Sequence, residues 1–132
     1  MGRNFLCSHL GFDCVGGVMI TPAKVEARLI ELSKEIDECH KDLIKTESDY
    51  HVTKAAYEIA MAKSRLKNAH TDLKMTVAMR EDQALFDNEA LHLNIAGLEA
   101  QVKAIRANAN RLKTQVDITR SISSSLKASM DL

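Results

Sequence analysis

The chain has 132 residues, of which 45% are hydrophobic and 27% charged, with 18 basic and 18 acidic side chains. This balance is typical of one soluble domain, and the bulk charge predicts neither a nucleic-acid nor a membrane partner. The five aromatic residues, with no Trp, are too few for a large globular core, so the composition favours a helical rod packed with aliphatic side chains. No apolar run reaches the roughly 18 residues that cross a bilayer, and three cysteines form no disulfide framework, so we expect a cytoplasmic location.

Residues 1–18 form a leader that fits no helical or strand periodicity and holds four of the five glycines. Polar residues interrupt any apolar core, which disfavours a secretory signal. The codons of Gly16-Gly17-Val18 allow a ribosome-binding sequence before Met19, so one hypothesis is that the leader is an artefact of start-site choice. Cys7, His9 and Cys14 are metal-ligand types, but they lack a fourth partner and predict no site.

A first helix is predicted over about residues 22–69. Thr21 is a good N-terminal cap and Pro22 suits the first helical position. Apolar or small residues then alternate at spacings of four and three, which is the periodicity of a coiled-coil seam. This first seam comprises Val25, Leu29, Leu32, Ile36, Cys39, Leu43, Thr46, Tyr50, Thr53, Tyr57, Ala60 and Ser64.

A turn is predicted at about residues 70–76, where weak helix formers interrupt the pattern, and Thr76 is the expected cap of a second helix over about 77–126. The second seam comprises Val77, Ala84, Leu91, Ile95, Leu98, Val102, Ile105, Ala109, Leu112, Val116, Thr119, Ser123 and Leu126. Further apolar residues widen this stripe, namely Leu85, Leu93, Ile118 and Ile122. A stripe that wide favours more than one neighbour, so we expect a homo-oligomer.

The predicted fold is therefore all-α, with residues 19–132 forming two long helices in an antiparallel coiled-coil hairpin. One unbroken helix of about 100 residues is the rival architecture. The near-equal lengths of the segments on either side of the turn favour the hairpin.

No catalytic motif is evident. The sequence contains no glycine-rich phosphate loop, GxSxG elbow or HExxH pair. The five histidines lie too far apart for a local ligand pair, and the mixed charges of the first helix are typical of a solvated face. We expect no enzymatic activity, no cofactor and no metal.

The most informative functional signal is a basic C-terminal third. Residues 100–130 carry six basic side chains against Asp117, a net charge of +5. Such a row tracks a phosphate backbone without reading sequence. The alternative is that these bases complement the helix dipole and the acidic residues of the first helix, such as Glu26, Glu31 and Glu35. The candidate nucleic-acid-binding residues are Lys103, Arg106, Arg111, Lys113, Arg120 and Lys127.

The run TVAMREDQALFDNEALHLNIAGLEAQVKAIRANANRLKTQVDITRSISSSLKA resembles the C-terminal half of small helical proteins common in tailed bacteriophages. Those proteins are similar to UvsY-type recombination mediators, oligomeric helical hairpins that load a recombinase onto single-stranded DNA. The resemblance implies a phage accessory protein that acts by binding single-stranded DNA. The alternative is a protein-interaction module, either an inhibitor of a host defence complex or an assembly factor with a phage or host partner.

Overall fold

The computed structural model describes residues 19–71 and 74–131, and the predicted leader lies outside them. Three helices make up this part of the chain: α1 is Pro22–Thr71, α2 is Val77–Asp87 and α3 is Glu89–Met130. No strand occurs within the described ranges. The all-helical prediction is confirmed.

Both predicted helix starts are formed by threonine caps. The Thr21 hydroxyl accepts a hydrogen bond from the Lys24 N–H at 3.3 Å, just before Pro22. Thr76 has an extended backbone, and its side chain accepts from the Met79 N–H at 3.2 Å. Each hydroxyl satisfies one of the N–H groups that the first turn of a helix leaves unbonded.

The helix ends differ from the prediction in three places. First, α1 ends at Thr71 instead of at about residue 69, and because α2 begins only at Val77, the rival single helix is wrong. Second, α3 continues through the serine-rich segment to Met130 instead of ending near residue 126. Third, the predicted helix over 77–126 is divided at Asn88.

The break at Asn88 coincides with two hydrogen bonds of the Asn88 side chain. The Asn88 side chain donates to the carbonyl oxygen of Ala84 at 2.8 Å and to the Ser64 hydroxyl on α1 at 3.0 Å. An amide that bonds nearby backbone carbonyls competes with regular helical bonding, and the backbone of Asn88 accordingly leaves the helical region (φ −115°, ψ 25°). The Asn88 carbonyl then accepts from the His92 N–H, within the first turn of α3.

The predicted seams agree with the observed burial. Every residue of the first seam is buried or half-buried in α1. In α2 and α3 the same holds for the second seam, except at Val77, which is 71% exposed. The inclusion of Val77 was wrong, because the first residue of α2 lies beside the connection from α1. Of the apolar residues that widen the second stripe, Ile118 and Ile122 are half-buried, whereas Leu85 and Leu93 are exposed.

The described residues divide into two compact units. Unit 1 contains residues 19–41 and 106–131, so it joins the start of α1 to the end of α3. Its core side chains include Val25, Leu32 and Leu112, which are almost completely buried. Arg28 of α1 bonds Gln115 of α3 at 3.3 Å, and the Asn108 amide lies 4.0 Å from the Cys39 sulfur.

Unit 2 contains residues 42–71 and 74–105. Its buried side chains include Met61 and Ala84. Four contacts link α1 to the later helices of this unit, and one of them joins the Asn88 amide to the Met61 sulfur at 3.9 Å. The others are the Tyr57 and His92 rings at 5.6 Å, the Ser64–Asn88 hydrogen bond at 3.0 Å and the Arg65–Glu81 ion pair at 2.9 Å.

Candidate nucleic-acid interface

Four of the six candidate basic residues form a row on α3 within unit 1. Arg106, Lys113, Arg120 and Lys127 recur every seven residues, and each directly follows a seam residue. All four are exposed. We call them the basic stripe. Because seven residues are close to two helical turns, successive charges lie about 10 Å apart along one side of the helix.

Arg111 does not belong to the basic stripe. Its position is roughly 140° around the helix from Arg106 at about 3.6 residues per turn. Its guanidinium donates to the Asn108 side-chain oxygen on the same helix, at 2.9 Å from Nη2 and 3.1 Å from Nε. The sequence therefore grouped Arg111 with residues that occupy another face.

Lys103 lies in unit 2 and forms an ion pair with Glu99, with 3.4 Å between Nζ and Oε1. The lysine and glutamate side chains are 74% and 51% exposed. Exposed pairs of this kind contribute little to stability, so the Lys103 ammonium is available to an incoming anion at small cost.

Two acidic residues of α1 that were expected to face the basic C-terminal third bind their own helix. Glu31 and Glu35 contact the Arg28 guanidinium, at 3.1 and 3.3 Å. Within residues 19–71 and 74–131, Lys113, Arg120 and Lys127 have no ion-pair partner. The interpretation that the stripe merely complements α1 is thus unsupported by any contact at these three positions.

One acidic residue lies beside the basic stripe. Asp117 is four residues after Lys113 and three before Arg120, which places it on the neighbouring part of the same helix surface. The Asp117 carbonyl accepts from the Ser121 hydroxyl at 3.0 Å, and the residue is exposed. Its carboxylate reduces the positive potential between the two central bases.

Sequence reasoning missed a polar link inside unit 1. The Arg28 side chain is only 14% exposed and bonds both glutamates of α1 as well as Gln115. Gln115 is 4% exposed, and the nearby seam residue Thr119 bonds the Gln115 carbonyl at 2.7 Å. The signal available in the sequence was an arginine directly before a seam residue, with glutamates three and seven residues later on the same helix.

Side chains that commonly bind metals are scattered over the described part of the chain. It contains no group of three or more histidine, cysteine or acidic side chains that would hold a metal ion. His51 and His92 instead contact tyrosine rings. The surface of the described residues includes two shallow apolar depressions. One, in unit 2, is lined by Asp82, Leu85, Phe86, Glu89, His92 and Leu93, and the other, in unit 1, by Ile118, Ser121, Ile122, Ser125, Leu126 and Ser129.

None of the helices within residues 19–71 and 74–131 combines the length and the apolarity that a bilayer crossing requires. Comparison of the chain with protein-family models, curated proteins and solved structures gives no match.

Proposed function

We propose that the protein acts by binding rather than by catalysis, and that it holds single-stranded DNA along the basic stripe of α3. The observation that carries this proposal is the exposed heptad row of cations in unit 1, three of which have no ion-pair partner in the described structure. A role as a phage accessory factor in recombination, of the mediator type, rests on the resemblance of residues 76–128 given above. The ligand class itself rests on the charge pattern.

We infer that α1 pairs with α2 and α3 as an antiparallel coiled-coil hairpin. The seams of four-and-three spacing support this arrangement, because their residues are buried or half-buried. The contacts within each unit support it too. In unit 1, Arg28 contacts Gln115 and Cys39 contacts Asn108, so the residue number of the partner on α3 falls as the residue number on α1 rises. In unit 2, later residues of α1 likewise contact earlier residues of the opposite helices.

The chemistry of the stripe favours backbone binding without base recognition. The described part of α3 contains no Phe, Tyr or Trp, so it offers no such platform on which bases would stack. Affinity then comes from neutralised phosphates and displaced counterions. Four phosphate contacts per chain predict a slope of about −2.8 for the logarithm of affinity against that of salt concentration on a single strand. This slope corresponds to about 50-fold weaker binding when salt rises fourfold.

Fluorescence anisotropy of a labelled single-stranded oligonucleotide across a potassium chloride series tests the proposal. The double variant Lys113→Gln/Arg120→Gln removes two phosphate contacts, and it should weaken binding and reduce the slope by about 1.4. Arg111→Gln is the control for the single substitution Lys113→Gln, because each removes one base from α3 but only Lys113 belongs to the stripe. No affinity of the unmodified protein at low salt would overturn the proposal.

A protein-interaction module is the second candidate, and the apolar depression of unit 2 favours it. Phe86 is 73% and Leu93 62% exposed there, which is unusual for two large apolar side chains that line one surface depression. This candidate predicts that the oligonucleotide leaves the anisotropy unchanged at low salt.

A further inference from the structure

The outer face of α1 in unit 2 carries a second heptad pattern, separate from the buried seam. Spacings of three and four residues relate its members, as in a coiled-coil seam. Its three large members are exposed by 68% at Val52, 58% at Ile59 and 64% at Leu66. The pattern, which we call the outer stripe, consists of Val52, Ala55, Ile59, Ala62 and Leu66.

The outer stripe is limited to one segment of α1. The equivalent positions before it hold Glu38, Lys41, Lys45 and Ser48, which are polar and exposed. A solvent-facing helix surface normally continues that polar pattern. Isolated apolar residues on a surface require no explanation, but five at regular heptad spacing form a contiguous apolar strip that favours a helical partner.

We propose that the outer stripe is a self-association surface, which receives the outer stripe of a second copy of this chain in parallel orientation. With Val52 and Ile59 at position a and Ala55 and Ala62 at position d, Glu58 occupies position g and Lys63 position e.

The charges beside the stripe support this occupant. Glu58 and Lys63 are both exposed and have no ion-pair partner within the described ranges. In a parallel pair, position g of one helix lies beside the next position e of the other. Glu58 therefore meets Lys63 of the second copy twice, once on each side of the two-fold axis.

The same charges disfavour an antiparallel pair, in which g faces g and e faces e. The e positions are Ala56, Lys63 and His70, so Lys63 would find no acidic partner. At the g positions Glu58 would meet His51, or Arg65, whose guanidinium already binds Glu81 at 2.9 Å. Alanine at the d positions permits close approach of the two backbones. The proposal locates the expected homo-oligomer on α1 rather than on the wide stripe of α3, and it does not depend on DNA binding.

Light scattering of the full chain over a wide concentration series, without nucleic acid, measures this association. We expect the mass to rise from one chain to two. Ile59→Lys buries a charge in the stripe and should weaken dimerisation by more than about tenfold. Ile44→Lys is the matched control, because Ile44 is another exposed isoleucine of α1 and lies before the stripe. Circular dichroism should show unchanged helix content in both variants.

A charge exchange tests the parallel orientation. Glu58→Lys alone and Lys63→Glu alone each create like-charge pairs, and each should weaken its own dimer by about tenfold. In an equimolar mixture of the two single variants, the lysine introduced in one chain faces the glutamate introduced in the other, and the affinity should be restored. A monomer at all concentrations would overturn the proposal. So would a dimer that Ile59→Lys leaves intact, or single charge variants that dimerise as the unmodified chain does.

Discussion

The two units bury different kinds of side chain. In unit 1, Leu32 and Leu112 are almost completely buried, and the exposed apolar residues are few and scattered. In unit 2 the completely buried residue is Ala84, whereas Val52 and Ile59 of the same unit remain exposed. Periodicity predicts which face of a helix is covered, but the sizes of the seam residues determine how much apolar surface is removed from water.

This difference separates two uses of a helical rod. Unit 1 fills its seam with large aliphatic side chains and places cations directly beside it, in the basic stripe. Unit 2 has tyrosine, threonine and alanine along the α1 side of its seam, and it presents apolar residues on the outer face of α1. Unit 1 is therefore the candidate for an anionic ligand, and unit 2 for a helical partner.

The largest expected effect comes from removing a core leucine of unit 1. Leu112 is 1% exposed, so Leu112→Ala should reduce the free energy of unfolding by about 3 kcal/mol, because a cavity remains in a covered seam. Leu93→Ala on the same helix, where the side chain is 62% exposed, should cost less than about 0.5 kcal/mol. Urea unfolding at one protein concentration measures both. If both variants lose the same free energy of unfolding, the proposed difference in packing between the two units is wrong.

A smaller effect is expected from the polar link of unit 1. Arg28→Leu should lower the free energy of unfolding by about 1.5 kcal/mol, since Gln115 loses a part-buried hydrogen bond and Glu31 and Glu35 lose their ion pairs. Gln115→Leu should cost about 1 kcal/mol. The double substitution should cost about 1 kcal/mol less than the sum, because both ends of one bond are replaced by apolar groups. If the losses of the two single variants add up to the loss of the double variant, the interaction between Arg28 and Gln115 does not stabilise the protein.

The helix break of unit 2 gives the third prediction. Asn88→Ala removes the bond to Ser64 and should lower stability by about 1 kcal/mol. Asn110→Ala, at an exposed position within α3, is the matched control and should raise stability slightly through better helix propensity. Hydrogen exchange should quicken around residues 84–92 only in the first variant. If Asn88→Ala leaves the free energy of unfolding unchanged, the break follows from backbone geometry and not from the side-chain bond.

The sequence predicted much of the fold because helix caps and seams are local signals. Thr21 and Thr76 were identified from the chemistry of a hydroxyl before a helix, and the seams from spacing alone. The break at Asn88 escaped prediction because one partner of the Asn88 side chain, Ser64, is distant in sequence and reaches Asn88 only in the folded unit. Val77 was misassigned since a periodic pattern carries no information on where the partner helix ends.

The sequence predicted which basic residues belong to the C-terminal third, but not which of them share one face of α3. Counting charges over residues 100–130 placed Arg111 with the other bases, and only the helical position and the contact with Asn108 separate it. Glu31 and Glu35, expected to complement the bases of α3, contact Arg28 of their own helix instead. Net charge describes a segment, whereas binding depends on which side chains share one face.

The smallest effect concerns the one acidic residue beside the basic stripe. Asp117→Asn removes a carboxylate that repels phosphates near Lys113 and Arg120, and two unit charges about 8 Å apart in water repel each other by about 0.5 kcal/mol. Single-stranded DNA should therefore bind about twofold more tightly at low salt, and the gain should fade as salt screens the charge. Asp37→Asn, an equal change of net charge at an exposed position of α1, is the control and should alter the anisotropy curve less. Equal gains from the two variants would mean that DNA responds to net charge and not to a charge placed beside the basic stripe, because Asp37 also belongs to unit 1 but lies on α1.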